Sequence, residues 1–373
     1  MARRVALALR WEKMSDTKSR LVQVRAALDS ADNDLLKALD ARARSVRELA
    51  ALKESDPSTF VPSPTSAEVL ARLRELRRDF PLSGLETVMR EVLSASAEMV
   101  APVRVAVLGP PGGFGHAAAR AHFGSRATIE AYETVGEVFS AYERHVVGYG
   151  VVPLETSSDG SLFATLSGLA AGRARITAER TIAGQYHLFS KTGNAADVER
   201  IYGAAQVFAA TTRALKAEFP RAPQLDMQSG VVAAQLAAED HGAAAVGPEL
   251  LAELSSLRVV RRDIQDDVNL QLRFVILGPE SPRRTGRDRT VLALTLNEEP
   301  GSLYSALQPF AEREINLTRL ESRRVAGSVL GELFFLELDG HVSDRPVLTA
   351  IEEVKAKSRN VRVLGSYPRP EGE

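Results

Sequence analysis

Between residues 16 and 54 the apolar positions fall at Leu21, Val24, Leu28, Leu35, Leu39, Val46, Leu49 and Leu52, at spacings of three, four and seven. This is the period of an amphipathic helix, and neither glycine nor proline interrupts it. At about 1.5 Å per residue the helix spans roughly 60 Å, longer than a small domain is wide. Its apolar stripe needs a partner, so a homodimer or a dimer of dimers is expected. A proline-rich loop over 55–66 leads to two further predicted helices, 67–79 and 84–99, and Pro102 ends a helical unit covering 16–100.

From 103 to 278 the pattern changes to short apolar strands alternating with helices, as in an α/β unit. The predicted strands are 104–108, 150–154, 187–190, 200–203, 243–246 and 273–277, enough for two three-layer lobes. Residues 279–289, PESPRRTGRDR, read as a basic linker. The stretch 290–368 alternates again: strand TVLALTL, helix 302–314 after Pro300-Gly301, strands 315–321 and 333–339, helix 343–357 and strand 361–364. The order βαββαβ is ferredoxin-like. The expected fold class is therefore multidomain α and α/β: an all-helical unit, a two-lobed α/β unit and a βαββαβ unit.

Composition narrows the function. Lys and Arg number 47 against 48 Asp and Glu, a net charge of −1, which argues against nucleic acid as a main partner. Cysteine is absent, which excludes disulfides, cysteine nucleophiles and thiolate metal ligation and fits a cytoplasmic location. His122, His145, His241 and His341 are scattered without metal-ligand spacing, so neither metal nor cofactor is expected. The first eleven residues are basic around VALAL, too short for a signal peptide. No segment approaches a membrane span, and no membrane partner is expected.

Two loops carry candidate chemistry. RVAVLGPPGGFGHAAAR (104–120) is a strand, a glycine-rich turn and an Ala-rich helix, a layout that aims backbone N–H groups at an anion. It has no GxGxxG or GxxxxGK[ST] spacing; the plainer reading is a tight turn that needs glycine. GYGVVPLETSSDG (148–160) has the same form with a hydroxyl-rich turn. Two such loops at strand carboxyl ends describe a cleft for a small anionic molecule.

The motifs GPPGGFGHAAA, VVPLETSSDG, Gln206 after Tyr202, and LRFVILG resemble the prephenate dehydratase domain. EEPGSLYSALQPFAEREINLTRLESR and LFFLELDGH resemble the ACT domain that senses phenylalanine in those enzymes. VRAALDSADNDLL and EVLSAS resemble the all-helical chorismate mutase. In this order, over about residues 21–369, the chain resembles the bifunctional chorismate mutase–prephenate dehydratase family. The resemblance implies a mutase-like unit at 16–100, a dehydratase-like unit at 103–278 and an ACT domain at 290–368. It also implies a prephenate-like dicarboxylate and L-phenylalanine as ligands.

The mutase rearrangement needs cations for two carboxylates and a donor to an ether oxygen. Arg25, Arg42 and Lys53 match the family's cations. Arg42 and Lys53 lie eleven residues apart, about three turns and hence on one face. Arg25 lies off that face, as suits an arginine reaching the partner's site in the family's dimer. Ser96 is kept. Thr65-Ser66 replaces the family's Arg-Glu pair, and Val100 replaces the Gln or Glu at the ether oxygen. Valine has no donor, and losing one such donor costs about 10²–10³ in rate.

Dehydration of prephenate expels CO₂ and a ring hydroxyl, and hydroxide needs a proton donor held against it. The family places threonine there, in a Thr-Arg-Phe triplet preceded by Asn. This chain reads Leu270-Gln271-Leu272-Arg273-Phe274: Arg273 and Phe274 remain, Leu272 takes the threonine position and Leu270 the Asn position. The family's Thr-Phe-Ser is Gly113-Phe114-Gly115, its Asn in the second loop is Thr156, and its Ser-His-Pro is Gly203-Ala204-Ala205. Stand-in donors are His116 and the hydroxyls of Thr156, Ser157 and Ser158, which otherwise serve as caps or turn bonds. His187 lies one residue off a family histidine, a shift that reverses the face in a strand.

The effector motifs are better kept. Gly301, Ser302 and Leu303 open a helix whose N-terminus favours a carboxylate. Glu321-Ser322-Arg323 matches the family's Glu-Ser-Arg-Pro, with Arg324 in the proline's place. In the family the two motifs enclose phenylalanine across a subunit interface. Three functions are thus open: a catalytically impaired, phenylalanine-binding regulatory relative; an active dehydratase with a substituted acid; or a prephenate decarboxylase, whose chemistry tolerates Leu272.

Overall fold

The computed structural model describes residues 2–55, 66–76, 79–157, 160–279, 281–324 and 332–370. The N-terminal region is helical: α1 (Ala2–Ser55), α2 (Ser66–Leu76) and α3 (Leu82–Glu98). At 54 residues α1 starts fourteen residues before the predicted helix and is about 80 Å long. Leu21, Val24, Leu28, Leu35, Leu49 and Leu52 of its apolar stripe are exposed. The Arg74–Glu86 pair at 2.6 Å ties α2 to α3.

The first lobe runs β1 (Arg104–Leu108), α4 (Phe114–Phe123), β2 (Thr128–Tyr132), α5 (Val135–Glu143), β3 (Tyr149–Thr156), β4 (Gly160–Ser161), α6 (Phe163–Ala171) and β5 (Ile176–Ala183). The chain then crosses to a second lobe: β6 (His187–Ser190), β7 (Arg200–Gly203), α7 (Ala205–Ala210), α8 (Thr212–Glu218), β8 (Gln224–Asp226), α9 (Gly230–Glu239), β9 (Ala243–Gly247), α10 (Glu249–Leu254) and β10 (Arg258–Arg261). β11 (Gln271–Leu277) returns to the first lobe between β3 and β5. The C-terminal unit is β12 (Asp288–Thr295), α11 (Ser302–Ala311), β13 (Leu317–Arg324), β14 (Glu332–Asp339), α12 (Arg345–Lys357) and β15 (Asn360–Pro368), the predicted βαββαβ order.

The second lobe has its own sheet, in the order β10-β6-β9-β7-β8. The first lobe and the C-terminal unit do not. They share one ten-stranded sheet, β13-β14-β12-β15-β5-β11-β3-β1-β2, with β4 beside β3. The seam is a parallel contact of β15 with β5, where Gly365 faces Ile176. A Cβ on Gly365 would stand 2.4 Å from the Ile176 carbonyl oxygen, so the approach requires glycine. One apolar core runs under the seam, from Phe139, Leu154 and Leu169 to Val291, Phe335, Leu364 and Tyr367.

This shortens the basic linker read over 279–289, whose last two residues belong to β12. Asp288 and Arg289 are buried in β12. Asp288 accepts from the Thr285 and Gly286 N–H groups, each at 2.9 Å, and Arg289 meets Glu179 at 2.5 Å. Arg283, Arg284 and Arg287 remain exposed before β12 begins. Overpacking of a tight contact typically costs about 1–3 kcal/mol. Gly365→Ala should lower stability by that amount, measured as a drop in the urea midpoint of the circular-dichroism transition.

Candidate functional site

The first loop lies where the two lobes meet. Gly109 and Gly112 take φ of 94° and 78°, and a Cβ on Gly112 would come within 2.8 Å of Leu251 Cα on α10. Phe114 meets Tyr186 edge-on at 5.2 Å, and Arg120 pairs with Glu253 at 3.0 Å. His116 Nδ1 accepts from the Gly112 N–H at 3.0 Å, so a neutral ring carries its proton on Nε2. Burial, then the charge of Arg120, holds His116 below the ordinary histidine range.

The second loop leaves β3 at Thr156, which pairs in register with Leu272 of β11. Ser157 is occupied: its N–H donates to the Gln271 carbonyl at 2.9 Å and its Oγ accepts from the Gln271 N–H at 3.0 Å. Ser158 lies outside the described residues. Leu272 packs with Phe114, Ile182 and Phe274 around a buried cluster that includes Val107, Ala118, Val151 and Ile276. Leu270 lies against Gly184, where a Cβ would sit 2.4 Å from its Cγ. The positions where the resemblance calls for threonine and asparagine are therefore filled by packing.

The connections between lobes border this region. Gly184 N–H donates to Leu270 O at 2.8 Å, Ile264 N–H to Tyr186 O at 2.9 Å, and Asp263 N–H to His187 Nδ1 at 3.1 Å. His187 is buried, and burial is the main cause that lowers its pKa. Ala204 is buried at the start of α7, whereas Gln206 on α7 is exposed.

Arg273, matched above to the family's motif, is not placed against the cleft. Strand alternation turns it to the face opposite Leu272 and Phe274. There its Nε donates to Glu179 Oε2 at 2.9 Å and its Nη1 to both oxygens of Glu337 at 3.0 Å, with Glu155 at 3.6 Å. Burial opposes its charge, but Glu337 and Glu179 more than offset this, so its pKa is raised. Arg289 and the Tyr367 hydroxyl complete the cluster on Glu179, at 2.5 and 3.2 Å. Phe274 is a core residue, 2% exposed.

In the helical region Arg42 donates to Ser96 Oγ, which donates to Val92 O at 2.6 Å. Burial lowers the Arg42 pKa. Arg25 is exposed and stands seventeen residues from Arg42 on α1, roughly 25 Å away, so one chain does not bring them together. Lys53 continues α1, but its side chain lies outside what is described, as does Thr65. Ser66 opens α2, and Val100 is exposed beyond α3.

In the C-terminal unit Gly301 is the left-handed N-cap of α11, φ 82°, followed by Ser302 and Leu303. Glu321, Ser322 and Arg323 lie on β13, an edge of the large sheet. Glu321 accepts from Arg319 Nε at 3.0 Å, and Arg319 Nη1 pairs with Glu155 at 2.6 Å. This chain of charges runs from β13 to the end of β3. Sequence reading missed it, along with Glu179, Arg289, Glu337 and Tyr367; the available signal was charge inside otherwise apolar strands, as in ITAERTIA and LFFLELD.

Two outcomes follow from this geometry. Breaking a buried pair from one side costs about 3–5 kcal/mol, so Arg273→Met should lose that much stability, read from urea midpoints. His187 has its folded pKa below the unfolded 6.5, so the unfolded chain binds its proton more readily. Its contribution to stability is complete above about pH 6.5 and falls away as pH drops below that. His187→Gln, which keeps an acceptor for the Asp263 N–H, should flatten the decline of the urea midpoint between about pH 6.5 and 5.

A family model described as prephenate dehydratase matches residues 105–282, and one described as chorismate mutase type II matches 24–100. A bifunctional chorismate mutase/prephenate dehydratase from Aquifex aeolicus is 30% identical over 354 residues, covering 94% of this chain and 98% of that one. Among solved structures, the prephenate dehydratase from Arthrobacter aurescens in complex with L-Phe is 30% identical with a TM-score of 0.64, covering 73% of this chain and 91% of that one. A chain described as a novel type of quorum quenching acylase also has a TM-score of 0.64, at 25% identity, covering 72% of this chain and 98% of that one. With both models in this order and a relative matched along nearly its whole length, the chain belongs to the bifunctional chorismate mutase/prephenate dehydratase family of phenylalanine biosynthesis.

Proposed function

We propose that this protein is a catalytically impaired, regulatory member of its family. It binds a prephenate-like dicarboxylate between the two lobes and L-phenylalanine on its C-terminal unit, which we assign as an ACT domain over 290–368. The observation that carries this reading is Leu272. It occupies the position of the family's proton donor, has no donor of its own, and belongs to a packed apolar cluster with Phe114 and Phe274. Hydroxide loss without an acid in hydrogen-bond reach is slow. Arg273 adds no acid, because its guanidinium is taken up by carboxylates on the other face.

Phenylalanine binding is supported by the left-handed Gly301 at the start of α11, whose N-terminal N–H groups suit a carboxylate. The L-Phe complex of the Arthrobacter relative supports it as well. The exposed apolar stripe of α1 and the free edge of β13 are the surfaces for a second copy, giving a homodimer or a dimer of dimers.

Purified protein should form no phenylpyruvate from prephenate at the usual enzyme rates of about 1–10³ per second. Formation at such rates overturns the reading and points to His116 as the acid; CO₂ release without phenylpyruvate identifies a decarboxylase instead. Calorimetry should detect L-phenylalanine binding to the wild type. A Cβ at residue 301 meets open space, so Gly301→Val acts through its backbone: left-handed φ costs roughly 1–2 kcal/mol, about tenfold in affinity. Equal binding by wild type and variant would remove Gly301 from the effector site.

A further inference from the structure

Where the helical region meets the first lobe, two arginines, Arg90 and Arg180, come together without a carboxylate partner of their own among the described residues. Arg180 of β5 lies on the sheet face opposite Glu179, and its Nε donates to His122 Nδ1, near the end of α4, at 3.2 Å. From the helical side, Arg90 of α3 is close enough to repel both Arg180 and His122, and Arg74 of α2 adds a third guanidinium. Of the described carboxylates here, Glu86 of α3 holds Arg74 Nε at 2.6 Å, Glu98 pairs with Arg126 at 3.6 Å and Glu91 accepts from the Ser125 N–H. With His122 neutral, Arg90 and Arg180 are left as two guanidiniums with no carboxylate partner among the described residues.

The cluster is also short of acceptors. Arg90 Nε is buried with no hydrogen-bond partner among the described residues. The bond recorded for Arg180 goes to a neutral imidazole rather than to an acid. Burial and the neighbouring arginines bring Arg180 down to about 10 and His122 down to about 3. Arg90, Arg180 and His122 are half-buried, and charges drawn out of water are normally paired or ligated. Because His122 Nδ1 accepts, the neutral ring presents Nε2–H as a further donor.

We infer that this junction is a binding site for a small dianion, a phosphate or a dicarboxylate, held by Arg90 and Arg180 with Arg74 and His122 beside them. Guanidinium forks match the oxygen pairs of carboxylate and phosphate, and a dianion offers one charge to each of the two unmatched arginines. The site is separate from the cleft, because His122 stands about two turns along α4 from Phe114. It is also separate from the Arg42–Ser96 contact. Arg90 lies six residues before Ser96 on α3, well round the helix from it. Two of its cations come from the helical region and one from the lobe, so a bound dianion would clamp the two together.

The test is thermal unfolding and calorimetry of the full chain at fixed ionic strength, with inorganic phosphate or malate exchanged for KCl. The wild type should bind about one dianion per chain and gain in Tm. Arg180→Gln and Arg90→Gln should each weaken binding at least about tenfold, the scale of one charge-assisted contact. Arg180→Leu removes the repulsion, so it should fold with an equal or higher Tm and lose the phosphate response. Tighter binding of phosphate or of malate supports the site and names its ligand class. Chloride matching both anions, or a response that survives in Arg180→Gln and Arg90→Gln, overturns it. So does a Tm that climbs with protein concentration and ignores the anions, which would place the missing acid on a second copy.

Discussion

Glu179 is fully buried and receives Arg273 from β11, Arg289 from β12 and the Tyr367 hydroxyl from β15. Arg273 in turn holds Glu337 from β14. Five strands are thereby bound through charge, three of them on the far side of the Gly365–Ile176 seam. A carboxylate here is tolerable only because every side of it is answered; removing one cation exposes the full cost of the buried anion. The cluster also fixes alignment, since a one-residue slip of any strand would turn its charged group to the opposite face. The large sheet, and with it the position of β11 beside the cleft, rests on this set of contacts.

The same principle explains what the sequence reveals and what it hides. Strands that read as short apolar runs, such as Arg104–Leu108, His187–Ser190 and Arg200–Gly203, have the bounds that their pattern predicts. β5 was not predicted, because Glu179 and Arg180 interrupt ITAERTIA, and a charge in a strand looks solvated until its partner is known. The partners stand 94 and 110 residues away, at Arg273 and Arg289. For that reason Asp288 and Arg289 looked like the end of a linker. Arg273 was legible in motif but not in direction: alternation alone separates its face from that of Leu272, and only the carboxylates waiting on that face show its use.

The substitutions around the cleft also form a physical set. Leu270 rests on Gly184, Leu272 joins Phe114 and Phe274, and Gly112 lets the first loop lie on Leu251. Leu272 sits inside the first lobe's own apolar cluster, while the Leu270–Gly184 and Gly112–Leu251 contacts lie where the lobes meet. A single restored hydroxyl would have to be accommodated by a wall already filled with side chains.

The fused sheet has a mechanical consequence. A unit joined by a flexible tether swings as a separate body, whereas one that continues a neighbour's sheet moves with it as a single plate. Here β12 to β15 extend the plate that carries β1, β3 and β11, stiffened by ions at the joint. The backbone joins the second lobe to that plate through two crossings, near Gly184–Tyr186 and Asp263–Leu270, and side chains add the Phe114–Tyr186, Gly112–Leu251 and Arg120–Glu253 contacts. A load placed on β13 is therefore carried through the plate toward the end of β11, with no free rotation of the C-terminal unit to absorb it.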